Sequence, residues 1–80
     1  MEPMPESLLP LGSAIKAKRE NLGLSQEQLA ERCGFDRTYI SMLERGKRNP
    51  SLLNLVKLAK GLQVPVSKLA EVYDGAETAQ

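Results

Sequence analysis

Apolar residues recur at three- and four-residue spacing in five short blocks separated by glycine or proline. Leu11, Ile15 and Leu22 make the inner stripe of a first helix that starts at about Leu8 or Leu11 and is closed by Gly23, with Pro10 tolerable only in its first turn. Leu29, Ala30 and Cys33 form the second block, Ile40 and Leu43 the third, and Leu52, Leu55, Val56, Leu58, Ala59 and Leu62 the fourth. The fourth is more apolar than a one-sided helix needs, which predicts burial on most of its girth. After a connector stiffened by Pro65, Ser67 caps a last short helix, Lys68 to about Tyr73. No run of alternating β-branched residues occurs, so the expected fold class is all-α, a five-helix bundle.

The second and third helices are joined tightly. Ser25 is an N-cap whose hydroxyl can accept from an orphan amide, and Gln28 can reach back to complete a capping box, with Leu24 and Leu29 at hydrophobic-staple spacing. Asp36 repeats the arrangement for the third helix, with Phe35 and Ile40 as its staple. Gly34 stands where the second helix must end in a left-handed residue, a conformation glycine adopts without steric cost. A chain that stops, turns and restarts within about three residues has the signature of a helix-turn-helix.

On a wheel of ~100° per residue, Ile40 and Leu43 point one way, with Tyr39 and Glu44 at the edges of that face. Thr38, Ser41, Met42 and Arg45 point the other way, and Arg37 projects from the N-terminal end. Two hydroxyls, a thioether and two guanidinium groups suit a DNA groove better than a core. The arginine fork matches the two major-groove acceptors of guanine, and threonine can bond a base or touch a thymine methyl. A solvated surface helix would tolerate the same face, so the flanking sequence has to decide.

Composition narrows the choice. The 80 residues make one domain, and with few aromatics its core must be aliphatic. Net charge is only +1, but residues 36 to 60 carry six basic groups (Arg37, Arg45, Lys47, Arg48, Lys57, Lys60) against Asp36 and Glu44, a local +4, while the remainder carries −3. That asymmetry places a positive field on one surface, as phosphate binding requires. Lys47 and Arg48 lie in the loop directly after the third helix, and Asn49 is held extended before Pro50. Ser51 caps the fourth helix, whose first amides add a dipole that favours phosphate. Cys33 falls on the apolar face of the second helix with no ligand partner, so it reads as core, and no metal or cofactor is expected. With no histidine and no glycine-rich phosphate loop, an enzyme is not expected. The acidic, proline-broken MEPMPES is no signal peptide and no apolar run approaches a membrane span, so the expected compartment is the cytoplasm.

Two features concern assembly. Arg19 falls on the inner stripe of the first helix, where a charge needs a partner; Glu44 is the best candidate, and snorkelling to water is the alternative. Val64, Val66, Leu69, Val72 and Tyr73 are more apolar groups than a short terminal helix can hide, which predicts a dimer contact; core closure is the alternative, above all for Leu69.

From about Leu11 to Leu69 the chain resembles the Cro and lambda-repressor type of helix-turn-helix proteins, the XRE family. The resemblance is carried by Arg19, by LGLSQEQLAERCG at 22–34, by YISMLERGKRNPS at 39–51 and by the apolar spacing from Leu52 to Val64. It implies a five-helix, lambda-repressor-like DNA-binding domain. The family's inner ion pair maps onto Arg19 and Glu44, its phosphate-contacting glutamine onto Gln26, and its base-reading positions onto Arg37, Thr38, Ser41 and Met42, the last offering only apolar contact. Within the family, DRTYISMLERGKRNPS at 36–51 is similar to the controller proteins of restriction-modification systems, with phage-type repressors and helix-turn-helix antitoxins also alike.

The expectation is therefore a homodimer that binds double-stranded DNA, an operator with two inverted half-sites roughly 34–36 Å apart or a multiple of that. Gln26, Tyr39, Arg45, Lys47, Arg48, Asn49 and Ser51 are the expected phosphate contacts, which set register without selecting sequence. The competing expectation is an antitoxin that neutralises a partner toxin and binds its own promoter. Residues 7–73 are the expected domain, between a disordered tail at 1–6 and a flexible one at 74–80.

Overall fold

The structure, a computed structural model, describes residues 7–74. The expectations for residues 1–6 and 75–80 lie outside it. Its elements are α1 (Leu9–Asn21), α2 (Gln26–Cys33), α3 (Arg37–Glu44), α4 (Leu52–Leu62), α5 (Val66–Ala70) and a closing 3-10 turn (Glu71–Tyr73). All the elements described are helical, and none is long and apolar enough to cross a membrane.

The buried core is Leu11, Ile15, Leu29, Ala30, Cys33, Ile40, Leu43, Leu58, Ala59, Leu62 and Leu69, drawn from all five helices. Its tightest seam is the crossing of α1 on α3, where a Cβ on Gly12 would stand 2.5 Å from the Leu43 carbonyl oxygen and 2.6 Å from that of Glu44. Only glycine lets the two backbones approach so closely, and this approach sets where α3 lies.

Three expectations are corrected. Leu22 is 38% exposed rather than on the inner stripe; α1 ends at Asn21, so the chain has left the helix before Leu22 could return to the buried face. α4 is not buried on most of its girth. Leu58, Ala59, Gly61 and Leu62 in its C-terminal half are buried, whereas Leu52 is 73% and Leu53 63% exposed at its start. α2, α5 and α1 pack on α4, and its first turn projects past them. The last helix starts at Val66 behind Pro65, not at Lys68 behind a Ser67 cap.

Candidate nucleic-acid interface

The two helices of the motif are fixed by local chemistry. Ser25 Oγ accepts from the Gln28 N–H at 3.0 Å, and Gln28 Oε1 accepts from the Ser25 N–H at 2.8 Å, the reciprocal capping box expected. Gly34 ends α2 at φ 79°, and a Cβ there would meet nothing within 4 Å, so glycine is required by conformation and not by space. Asp36 occupies the N-cap of α3 but makes no side-chain cap bond, a correction to its expected role. The Asp36 carbonyl instead accepts from Tyr39 N–H at 3.1 Å and Ile40 N–H at 3.3 Å.

From the inside, α3 is held by charge. Arg19 donates from Nε to Glu44 Oε2 at 2.6 Å and from Nη2 to Oε1 at 3.0 Å. Its third donor, Nη1, reaches the Leu24 carbonyl at 2.8 Å. Both residues are buried, and the hydrogen bond to Glu44 outweighs desolvation, so the guanidinium is held above its ordinary pKa. Glu44 also accepts from Gln26 Nε2 at 3.0 Å. That bond uses one of the amide's two protons and leaves the other able to donate elsewhere.

The outward face of α3 presents Arg37 and Thr38 exposed, with Ser41 and Met42 half-buried beside them. Arg45, just past the helix end, is exposed and bonds the Ser41 carbonyl at 3.3 Å. In the following loop Lys47, Arg48 and Asn49 are exposed. Ser51 Oγ accepts from Asn54 N–H at 3.1 Å, which leaves its hydroxyl proton free. With Glu44 buried against Arg19, the six cations of residues 36–60 are exposed and Asp36 is the one exposed acid of that stretch. Glu27, Glu31 and Asp36 line a shallow groove beside Arg37. That acidic wall repels a polyanion and bounds the basic face on one side.

A family model described as helix-turn-helix matches residues 15–69. The chain belongs to the XRE-type family of helix-turn-helix transcriptional regulators. Among its relatives, the control protein C.MunI of a Mycoplasma species is 48% identical over 54 residues, covering 68% of this chain and 73% of that protein. The crystal structure of the restriction-modification controller protein C.AhdI from Aeromonas hydrophila superimposes with a TM-score of 0.76 at 44% identity, over 78% of this chain and 94% of that one. SinR, a master regulator for biofilm formation crystallised in complex with DNA, gives a TM-score of 0.72 at 38% identity, over 75% of this chain and 97% of its own.

For this helix-turn-helix chain the residues expected at a dimer contact separate into two groups. Leu69 is completely buried inside the subunit and has no surface to offer a partner, a correction to that expectation. Tyr73 closes the subunit instead: its hydroxyl donates to the Ser7 carbonyl at 2.8 Å and accepts from Leu11 N–H at 3.3 Å. Val64 and Val66 are half-buried against the core, and Val72 is exposed. Leu52, which periodicity assigned to the core, and Leu53 are exposed apolar groups. Sequence reasoning also missed Asn54 and the aromatic pair of Phe35 and Tyr39, whose rings meet edge to face at 4.8 Å. Their four-residue spacing was the available signal for the pair.

Proposed function

We propose that this regulator binds DNA as a homodimer at an operator with inverted half-sites and thereby controls transcription, its own included, in the manner of a restriction-modification controller. α3 enters the major groove, with Arg37 and Thr38 reading bases and Ser41 and Met42 completing the contact. Gln26, Tyr39, Arg45, Lys47, Arg48, Asn49 and Ser51 hold backbone phosphates. The observation that carries this reading is the concentration of exposed cations around α3, whose inner end is locked by the Arg19–Glu44 pair. Val64, Val66 and Val72, around the last helix, supply the apolar surface from which a subunit contact is built. The relatives reported above carry regulator and control-protein names and lend no support to the antitoxin alternative.

The test is binding of the purified protein to the DNA upstream of its own gene, titrated by anisotropy at two salt concentrations with an unrelated duplex as control. Affinity about 10³ or more above the control, falling steeply with salt, is expected. Equal weak binding to both duplexes contradicts an autoregulatory operator.

A further inference from the structure

Asn54 is not among the residues assigned above to bases or phosphates, yet it joins the two elements that flank the basic loop. Its backbone N–H closes the Ser51 cap of α4. Its side-chain Nδ2 donates to the Tyr39 hydroxyl oxygen at 3.1 Å, across to α3. Arg48, from the loop between them, lies with its guanidinium 5.2 Å from the Tyr39 ring centroid, and Phe35 packs against the same ring edge to face. The ring is therefore held at its face, at its edge and at its oxygen, by residues from the turn, the loop and α4.

The direction of the Asn54 bond has a chemical consequence. A phenol O–H lies in the plane of its ring and has two positions for its proton, so a donor at one side sends the proton to the other. With the amide in place, Tyr39 faces outward as a hydrogen-bond donor. The acceptor it suits is an oxygen carrying no proton of its own, and Arg48, 5.2 Å from the ring centroid, adds positive charge beside the same side chain.

We propose that Asn54 is a positioning residue for DNA binding, which presets the Tyr39 phenol to donate to a backbone phosphate beside Arg48. The inference rests on the DNA-binding reading above. It makes the polarity of residue 54 decisive: a carboxylate there only accepts, and turns the phenol proton inward. The same carboxylate in the first turn of α4 favours the helix dipole, so the fold is not weakened by it.

The experiment measures binding of the wild type, Asn54→Leu and Asn54→Asp, each alone and combined with Tyr39→Phe. The probe is the tightest duplex that the wild-type protein selects from a randomised pool, and thermal unfolding is followed in parallel. Asn54→Leu is expected to weaken binding about 3- to 10-fold, and Asn54→Asp more, without a fall in melting temperature for the aspartate variant. In the Tyr39→Phe background Asn54→Leu should make no further difference, and Asn54→Asp should retain only the salt-sensitive part of its effect. Equal losses in both backgrounds overturn the proposal, because Asn54 then acts without Tyr39. Wild-type affinity in Asn54→Asp overturns it too, because the carbonyl and not the amide then faces the phenol. If the wild type selects no duplex, the DNA-binding reading fails and takes this one with it; if it selects one that all variants bind alike, only the role of Asn54 falls.

Discussion

Arg19→Met is the perturbation with the largest expected effect on folding. The side chains it separates are only 10% (Arg19) and 4% (Glu44) exposed. Without the guanidinium, the Glu44 carboxylate is left buried with Gln26 Nε2 as its remaining side-chain partner. Breaking a buried pair in this way costs about 3–5 kcal/mol, because one charge stays desolvated and unpaired. At ~1 kcal/mol per molar urea, the midpoint falls by about 3–5 M, most of the stability of a small domain. Glu44→Met has a comparable effect, since Arg19 then loses two of its three acceptor contacts. The double variant Arg19→Met with Glu44→Met removes both charges and is expected to be more stable than either single one. Because the guanidinium is held above its ordinary pKa, its contribution is fully present below that value and is lost only as pH rises through the higher folded one. The deficit of Arg19→Met is therefore constant from neutral pH through the mildly alkaline range. Urea unfolding followed by far-UV circular dichroism measures all three variants. Single variants that lose under about 1 kcal/mol, or a double variant equal to their sum, would refute the reasoning.

Three further outcomes are expected. Arg37→Ala should lower discrimination at one base pair per half-site by about 1–3 kcal/mol, whereas Lys47→Ala should weaken all sequences alike and flatten the salt dependence; binding titrations on single-base operator variants separate the two, and uniform losses in both remove the reading role of Arg37. Gly61→Ala puts a Cβ 2.6 Å from Cys33 Sγ, an overpacking of about 1–3 kcal/mol, and adding Cys33→Ala should recover stability in urea melts; a further loss would place the strain elsewhere. Burial pushes the Cys33 thiol above its ordinary value, the positive Arg32 opposing it more weakly. The unfolded chain then loses its thiol proton first, so stability should fall as pH rises through the window that begins at the ordinary thiol value, a slope that Cys33→Ala should abolish.

The parts of this fold legible in the sequence are those with local or strongly constrained causes. The Ser25–Gln28 box, Gly34 at the end of α2 and the pairing of Arg19 with Glu44 each follow from what a short stretch, or a buried charge, requires. Leu22 and Leu52 were misread because periodicity reports which residues share a face and not whether another helix covers it. Asp36 has the position of a cap, but its side chain makes no cap bond, and the Tyr39 and Ile40 amides are taken by its backbone carbonyl. The bond from Asn54 to Tyr39 joins residues 15 apart with no pattern between them, so only the packing of α4 beside α3 brings it into view.

In the resulting arrangement α3 is fastened through Glu44, Tyr39 and its crossing with α1, and left free at Arg37 and Thr38, the residues proposed to read bases. Glu44 ties it to α1 and α2 through Arg19 and Gln26, Gly12 fixes its approach to α1, and Tyr39 ties it to α4. Arg37 and Thr38, by contrast, are exposed and make no side-chain hydrogen bond among the described residues. Their substitution removes no buried contact, so a surface change there stays within about 0.5 kcal/mol of folding stability while the contact it offers a base can alter by several times that. If these positions read bases as proposed, sequence preference can be rewritten there on an unchanged scaffold. The fastening residues lack that freedom, because each of them carries a buried charge, a close backbone approach or a shared hydrogen bond.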